Sequence, residues 1–327
     1  SRGWVVSLSG GADSAAVTAL CCLSNVLAAA ELGLDALKLR YCYVPGAAEA
    51  ADVDALNTLM LTTAYQSTQH SGDVTRNAAA GLAEAVGARH FEWSVDGAVA
   101  AYLGAVESAL GRSLSWETDD VALQNIQARS RSPGIWILAN VERKLLLATS
   151  NRSEAAVGYA TMDGDTSGGL SPIAGIDKAF LRKWLRWMET EGLAESGPIP
   201  ALRAVNVQQP TAELRPASAG QTDEEDLMPY PVLDAIERLA IRDKLGPISV
   251  WRRMKAAHPE ASAVQVAAWV RRFFELWCRN QWKRERYAPS YHLDDENLDP
   301  KTWCRFPILS GGFARELADL RAAVSDS

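Results

Sequence analysis

The amino-acid sequence predicts an α/β fold, a doubly wound parallel sheet with helices on both faces, followed by a helical C-terminal part. The first observation is that short apolar, strand-like runs alternate with longer helical patterns up to about residue 177. The second is that the first run leads directly into a Gly-rich turn and then into a long Ala/Leu-rich helix. The third is that the pattern beyond residue 177 is mostly helical. Strands that alternate with helices form βαβ units, and such units build parallel sheets.

The predicted elements follow one another in a regular order. The strand-like runs cover residues 5–8, 59–64, 90–93 and 145–149. The helical patterns among them cover residues 13–30, 73–86, 97–110 and 121–140, and the clearest later helices cover residues 178–189, 231–241 and 263–282. Residues 196–226, with several prolines and an acidic run, are the best candidate for a long loop. Because ligands bind at the carboxyl ends of parallel strands, we expect the turns after the first and fourth strands to lie together.

Composition and charge are typical of a soluble enzyme. The 327 residues are 48% hydrophobic and 22% charged, and the formal net charge of −7 provides no general attraction to nucleic acid or anionic membranes. The longest apolar segment, residues 15–30, is interrupted by polar residues, so we expect no membrane span. The five cysteines form no CxxC pair and no Cys/His metal spacing, which predicts a reducing, cytoplasmic location without disulfides or zinc.

The most informative stretch is the turn after the first strand. The run Trp4-Val5-Val6-Ser7-Leu8 leads into Ser9-Gly10-Gly11-Ala12-Asp13-Ser14. In such a turn, glycines allow a close approach to an anion, while serine hydroxyls and the first N–H groups of the helix donate to phosphate oxygens. The Lys of a Walker loop is absent. The alternative interpretation is an ordinary βα turn in which Asp13 only caps its helix.

Four stretches resemble known families. The turn at residues 9–14 resembles the SGGxDS loop of the ATP pyrophosphatases, which cleave ATP between its α- and β-phosphates. The other three resemble the NAD synthetases and keep that family's order. They are Asn125-Ile126-Gln127-Ala128-Arg129-Ser130-Arg131, residues 149–178 with Thr149-Ser150-Asn151-Arg152-Ser153-Glu154, and Pro210-Thr211-Ala212-Glu213-Leu214 with Gln221-Thr222-Asp223-Glu224. The resemblance implies an adenine nucleotide alpha-hydrolase-like fold.

Several further residues are more similar to the synthetase region of glutamine-dependent enzymes than to the short ammonia-dependent ones. They are residues 61–65, Ser71, Thr75, Lys283-Arg284 and residues 288–291. In that subfamily a nitrilase-like glutaminase precedes the synthetase region, and we expect this upstream domain to be absent from the chain. The resemblance implies an ATP pyrophosphatase/NAD synthetase domain at residues 1–243 and a mostly helical extension at residues 244–327 that packs on it. Two departures, Gln124 and Arg284, concern details of dinucleotide binding.

The resemblance implies ATP-dependent amidation of deamido-NAD. The ring carboxylate attacks the α-phosphate of ATP and releases pyrophosphate. Ammonia, free or supplied from glutamine by a separate domain, then displaces AMP and yields NAD. Because several negative charges meet, catalysis would depend on positioning and charge neutralisation, with Mg²⁺ held by one or two carboxylates. The implied partners are ATP, deamido-NAD, ammonia and further copies of the chain in a homodimer or larger homo-oligomer.

The positions that match the motifs of these families imply a role for each of the following residues. The implied catalytic residues are Asp13, Glu154 and Lys178. The implied ATP-binding residues are Ser7, Ser9, Gly10, Gly11, Asp13, Ser14, Thr149, Lys178 and Thr211. The implied deamido-NAD-binding residues are Asn125, Arg129, Glu154, Tyr159, Thr161, Asp165 and Lys283. The implied Mg²⁺ ligands are Asp13, Glu154 and Thr211.

Some of these residues also have structural interpretations. Arg129 and Arg131 could form a solvated helix face, and only one of them can point into a site. Lys178 could lie on the surface, and Lys283 could belong to an exposed basic face. For the whole chain, the alternatives are a GMP synthetase-like or other ATP pyrophosphatase and a catalytically inactive nucleotide-binding subunit. Residues 210–226 are expected to form a lid over ATP.

Overall fold

The computed structural model describes residues 1–208, Leu214 and residues 227–325. Four strands, all parallel, form one sheet in the order β3-β2-β1-β4. They are β1 (Trp4–Ser7), β2 (Leu61–Ser67), β3 (Arg89–Ser94) and β4 (Leu145–Leu147). Each of the four predicted strands is present, and the predicted α/β class is confirmed.

Helices connect the strands and continue beyond them. In the first half of the chain they are α1 (Ala12–Leu32), α2 (Leu34–Arg40), α3 (Val53–Met60), α4 (Asp73–Ala85), α5 (Asp96–Leu110), α6 (Asp120–Glu142) and α7 (Arg152–Val157). In the second half they are α8 (Lys178–Thr190), α9 (Arg203–Asn206), α10 (Tyr230–Glu237), α11 (Pro247–Ala257), α12 (Ala263–Arg279), α13 (Gln281–Arg284) and α14 (Ala314–Ser325). The helices that the sequence predicts up to residue 190 agree with these to within two residues at either end.

The two faces of the sheet carry different helices. Val6 of β1 packs in a buried cluster with apolar residues of α1, α4 and α8, including Leu185. The neighbouring Val5 faces the other way and packs with Ile135 and Ala139 of α6. Since successive side chains of a strand point to opposite faces, both faces of the sheet are covered, as a doubly wound fold requires.

The sequence-based elements need two corrections. Helices α2 and α3 were not predicted, because segments of seven and eight residues leave little room for a helical period to show. Helices α11 and α14 lie in the part predicted as mostly helical, where the pattern set no bounds for these two. The predicted loop at residues 196–226 contains a 3₁₀ turn at Pro200–Leu202 followed by α9. Leu202 and Val205 are buried in the same cluster as α1, which explains why this segment is ordered.

The C-terminal helices form a second core around α7. Val157 at the end of α7 is buried together with Leu233 of α10 and with Phe273 and Trp277 of α12. Residues from α11 and α14 complete this cluster. The packing supports the interpretation of residues 244–327 as an extension on the sheet domain, and the boundary at residue 243 stays a prediction.

Helix α1 is long and apolar enough to cross a membrane by length and composition alone, although 44% of its most apolar stretch is buried within the protein. Its Ala15, Ala16 and Ala19 are fully buried against the sheet. A core helix of a soluble protein has the same properties, so this composition is explained by packing.

Candidate active site

A cavity opens at the carboxyl ends of β1 and β4, where the strand order reverses direction. Parallel sheets bind ligands at this place, because neighbouring connections leave the edge on opposite faces. The cavity brings together ten of the residues singled out in the sequence, namely Ser7, Ser9, Gly11, Asp13, Ser14, Thr149, Glu154, Tyr159, Asp165 and Lys178. The predicted juxtaposition of residues 9–14 with the turn after Thr149 is therefore present.

The turn between β1 and α1 has the geometry of an anion cradle. Gly10 has φ of +82°, and a Cβ there would lie 2.1 Å from the carbonyl oxygen of Thr75, so only glycine fits. The backbone N–H of Ser9 donates to Oγ of Ser14 (3.2 Å), which donates to the carbonyl of Gly11 (3.2 Å). Helix α1 has no side-chain cap, so its first N–H groups face the cavity end of the sheet.

Lys178 stands at the centre of the charged groups. Its Nζ contacts Oδ2 of Asp13 and lies 2.9 Å from Oε1 of Glu154. The lysine side chain is 4% exposed, and the two carboxylates are 18% and 15% exposed. Burial alone would lower the pKa of Lys178, but the two carboxylates outweigh it and raise the pKa above its ordinary value. The lysine is therefore a buried, charged link between α1 and α7, which excludes the surface interpretation.

Asn151 joins the two carboxylate-bearing helices. Its Nδ2 donates to Oδ1 of Asp13 (2.9 Å), while its Oδ1 accepts from the backbone N–H of Glu154 (2.9 Å) and so caps α7. An Asn at this position is a strong N-cap. Asp13 thus receives hydrogen bonds from both Lys178 and Asn151, rather than capping its own helix.

Helix α10 also contacts Lys178 and the residues next to it. The Asp234 carboxylate accepts from Oγ of Ser153 and from the backbone N–H of Ala179 (3.2 Å), and Oγ of Ser153 accepts from the backbone N–H of Lys178 (2.8 Å). The ring of Tyr230 lies 5.5 Å below Nζ of Lys178. Burial raises the pKa of Asp234 to about 7, against the lowering effect of the Ser153 hydroxyl. These contacts therefore connect α7, α8 and α10 beside Lys178.

Arg152, the residue after Asn151, has a structural part in the site. Its buried guanidinium pairs with Asp177 (3.1 Å), Glu237 (3.1 Å) and Glu296 (2.7 Å). Asp177 also caps α8 by accepting from the backbone N–H of Phe180 (2.6 Å). The arginine thereby ties the start of α7 to the start of α8, the end of α10 and the C-terminal segment.

The predicted dinucleotide residues form a linked group beside the cavity. Oγ1 of Thr161 donates to Oδ1 of Asn125 (2.9 Å), and the backbone N–H of Thr161 donates to Oδ2 of Asp165 (2.8 Å). Burial raises the pKa of Asp165, partly opposed by that N–H and by Arg131 and Lys283. Of these three residues, Asp165 is among those that line the cavity, whereas Asn125 and Thr161 are not.

The structure distinguishes the two arginines of α6. Arg131 lines the cavity and donates to the backbone carbonyl of Gln66 (3.2 Å). Arg129 instead donates to the carbonyl of Met162 (3.0 Å). Arg131 is therefore the member of this pair that lines the cavity, and the implied role of Arg129 in deamido-NAD binding stays a prediction. Helical spacing shows that only one of the two can face the site but does not say which.

Lys283 does not belong to an exposed basic face. Its half-buried Nζ donates to the carbonyls of Gly158 (2.8 Å) and Ala160 (2.9 Å), and burial lowers its pKa. The neighbouring Arg284 is buried and donates to the carbonyl of Ala156 (2.7 Å), which lies at the end of α7. The C-terminal segment thus holds the end of the helix that carries Glu154.

Other cavity residues were not singled out for this site by sequence reasoning. They include Gln66, Arg131, Arg182, Val205, Asn206 and Gln208, together with Tyr65, Ser71 and Thr75, which served only to indicate the subtype. For Arg182 a signal existed, because it follows Lys178 by four positions on the same helix face. Thr211, and the lid expected at residues 210–226 apart from Leu214, lie outside the described residues.

The donor set at the cavity is suited to Mg²⁺ that arrives with a nucleotide. Within residues 1–208, Leu214 and 227–325, no group of three or more His, Cys, Asp or Glu side chains could hold a metal ion. The cavity does offer the carboxylates of Asp13 and Glu154. Mg²⁺ commonly binds through one or two carboxylates, with phosphate and water oxygens as its other ligands, so these two residues fit.

Comparison with known proteins gives the family. A family model described as NAD synthase matches residues 1–285. The chain is 31% identical to the glutamine-dependent NAD(+) synthetase of Rattus norvegicus, over 94% of this chain and 45% of that protein. It is 32% identical to the enzyme of the same name from Oryza sativa subsp. indica, over 89% of this chain and 42% of that protein.

A solved structure agrees with these relatives. The glutamine-dependent NAD(+) synthetase from Cytophaga hutchinsonii has a TM-score of 0.84 and 45% identity, over 97% of this chain and 52% of that chain. The chain therefore spans about half the length of the relatives it matches. Because the family model covers most of the chain and the fold agrees throughout, the protein belongs to the NAD synthase family.

Proposed function

We propose that this chain catalyses the ATP-dependent amidation of deamido-NAD to NAD, with AMP and pyrophosphate as the other products. The observation that carries the proposal is the group of Asp13, Lys178 and Glu154 at the carboxyl edge of the sheet, beside the Gly-rich turn. Family membership supports the same reaction. Related full-length proteins carry the name glutamine-dependent NAD(+) synthetase.

The first step transfers an adenylyl group. A carboxylate oxygen of the nicotinate ring attacks the α-phosphorus of ATP, the bond to the bridging oxygen of the β-phosphate breaks, and pyrophosphate leaves with that electron pair. The turn at residues 9–14 would hold the phosphates with N–H and hydroxyl donors. Lys178 would orient the carboxylates of Asp13 and Glu154 and balance part of the charge that gathers at the α-phosphate.

The second step forms the amide. Ammonia attacks the carbonyl carbon of the acyl adenylate, AMP leaves, and the nitrogen loses a proton. Asp165, whose pKa burial raises, and Glu154 both line the cavity where this proton is released. Mg²⁺, held by Asp13 and Glu154, would supply positive charge to the phosphate oxygens. No covalent bond between the protein and a substrate is needed, because positioning and charge neutralisation account for both steps.

Free ammonia is the proposed nitrogen source for this chain alone. A glutaminase needs a reactive thiolate, and burial raises the pKa of Cys21, Cys278 and Cys304, and that of Cys22 to about 11. None of the five cysteines is among the residues that line the cavity in the described part of the chain. A separate domain would be required for the use of glutamine.

A homo-oligomer and a cytoplasmic location complete the proposal. Exposed apolar side chains occur on α5 and α6, namely Tyr102, Val106, Leu110, Ile137 and Val141. Apolar surface of this kind often marks a contact between subunits. Light scattering would give the subunit number, and a Val141→Glu variant should lower it.

The proposed location in the cell is the cytoplasm. The five free cysteines support a reducing compartment.

One assay tests the reaction. The purified chain is supplied with ATP, Mg²⁺, deamido-NAD and either ammonium or glutamine, and both NAD and pyrophosphate are measured. We expect equal amounts of the two products with ammonium and none with glutamine. NAD from glutamine would refute the nitrogen source. ATP binding without pyrophosphate release in either arm would refute the reaction and favour an inactive nucleotide-binding subunit.

A further inference from the structure

We propose that Arg182 binds the β- and γ-phosphates of ATP and the pyrophosphate that leaves. This inference rests on the proposed function, because it assigns a binding residue to the same reaction. Arg182 lies on α8, one helical turn beyond Lys178, and its half-buried side chain lines the cavity. None of the motif positions matched in the sequence assigns Arg182 to ATP binding.

The charges in the cavity carry the inference. Three cationic side chains line it, namely Arg131, Lys178 and Arg182. Lys178 is already paired with two carboxylates, and Arg131 donates to a backbone carbonyl at the end of β2. Within the part of the chain that the structure describes, Arg182 forms no ion pair. Among the described residues, Arg182 is thus a lining cation without a carboxylate in ion-pair contact.

Arg182 lines the same cavity as Ser9, Gly11 and Ser14 of the Gly-rich turn. Two further cavity-lining side chains are Asn206 and Gln208. Nδ2 of Asn206 donates to Glu189 of α8 (2.9 Å), and Nε2 of Gln208 reaches the carbonyl of Gly10 (3.4 Å). Helix α8, which carries Arg182, packs against α1 and α9, and Gln208 beyond α9 contacts the Gly-rich turn, which is the expected cradle of the phosphates.

The chemistry of arginine suits this ligand. The Gly-rich turn supplies only neutral donors, whereas pyrophosphate carries several negative charges. A guanidinium presents parallel N–H donors that match two phosphate oxygens, and its charge does not depend on pH in the physiological range. A bound polyanion would give Arg182 the counter-charge that no described residue supplies through an ion pair.

Titration calorimetry on the full chain tests the inference without turnover. The probes are inorganic pyrophosphate and AMP, each with Mg²⁺. The variants are Arg182→Gln and Arg182→Lys, and the matched control is Arg186→Gln, an exposed arginine one turn further along α8. Loss of a charged hydrogen-bond donor should weaken pyrophosphate binding by about tenfold to a hundredfold in Arg182→Gln. Arg182→Lys should weaken it less, and the control should bind as the unmodified chain does.

Two outcomes would overturn the assignment. One is equal pyrophosphate affinity in Arg182→Gln and Arg186→Gln. The other is an equal loss of AMP and pyrophosphate binding in Arg182→Gln, because AMP lacks the β- and γ-phosphates. Circular dichroism on each variant verifies that it is folded. Failure of the proposed reaction would look different, since the unmodified chain would then bind pyrophosphate and AMP but release no NAD.

Discussion

Replacing Asp13 by Asn removes one negative charge from the centre of the site and keeps the size of the side chain. The carboxylate of Asp13 accepts from Nζ of Lys178 through one oxygen and from Nδ2 of Asn151 through the other. An amide has a single oxygen. One of these two donors must therefore face an NH₂ group and lose its acceptor.

The size of the effect follows from these contacts. A buried donor without an acceptor costs about 1–3 kcal/mol, which would lower the melting temperature by a few degrees. The cost stays below that of an isolated buried charge, about 3–5 kcal/mol, because Glu154 still lies 2.9 Å from Nζ of Lys178. The effect on turnover should be larger. Loss of one group that positions charge in a transition state lowers kcat by about a hundredfold.

The assay compares two first-turn aspartates. Asp73 stands in the first turn of α4, as Asp13 does in α1, but its side chain is 82% exposed and pairs with Arg76 at 3.5 Å. NAD formation at saturating Mg·ATP is measured for Asp13→Asn and Asp73→Asn, with circular dichroism to verify folding. We expect the loss only in the first variant. Equal turnover in both variants would show that Asp13 does no more than stabilise its helix end.

Three further predictions concern the turn, the pH dependence of stability and the C-terminal segment. Gly10→Ala should abolish activity and lower the melting temperature, because the new Cβ would meet a backbone oxygen at 2.1 Å, whereas Gly97→Ala, with no atom within 4 Å, should be active and at least as stable. Burial raises the pKa of Asp234 from 3.8 to about 7, so the folded state binds more protons between these values and the free energy of unfolding should fall as pH rises from 4 to 7; denaturant titrations should show a weaker fall in Asp234→Asn. Arg284→Met should lower the free energy of unfolding by about 1–3 kcal/mol for each backbone carbonyl left without a donor, and so lower the melting temperature. It should also lower kcat because the end of α7 loosens; unchanged kcat well below the melting temperature would limit Arg284 to a structural role.

The sequence by itself determined the features that depend on local backbone geometry. The strand, turn and helix at residues 4–32 could be predicted, because Gly10 must adopt a positive φ and α1 follows at once. Asn151 and Asp177 cap α7 and α8, and both residue types are locally favoured at the N-cap of a helix. The alternation of strands and helices gave the parallel sheet, since βαβ units have few other ways to pack.

The tertiary structure decided which side chains meet. Lys178 approaches Asp13 across 165 positions of sequence, and its pKa is raised only because folding brings the carboxylates of Asp13 and Glu154 to its ammonium group. The packing of α6 on the sheet turns Arg131 toward the cavity and Arg129 away from it, which helical spacing leaves open. Lys283, which the sequence shows among exposed charges, donates instead to the turn after α7. These outcomes depend on contacts between distant segments, and the physical reason is that burial and partner charge are properties of the assembled core rather than of any local pattern.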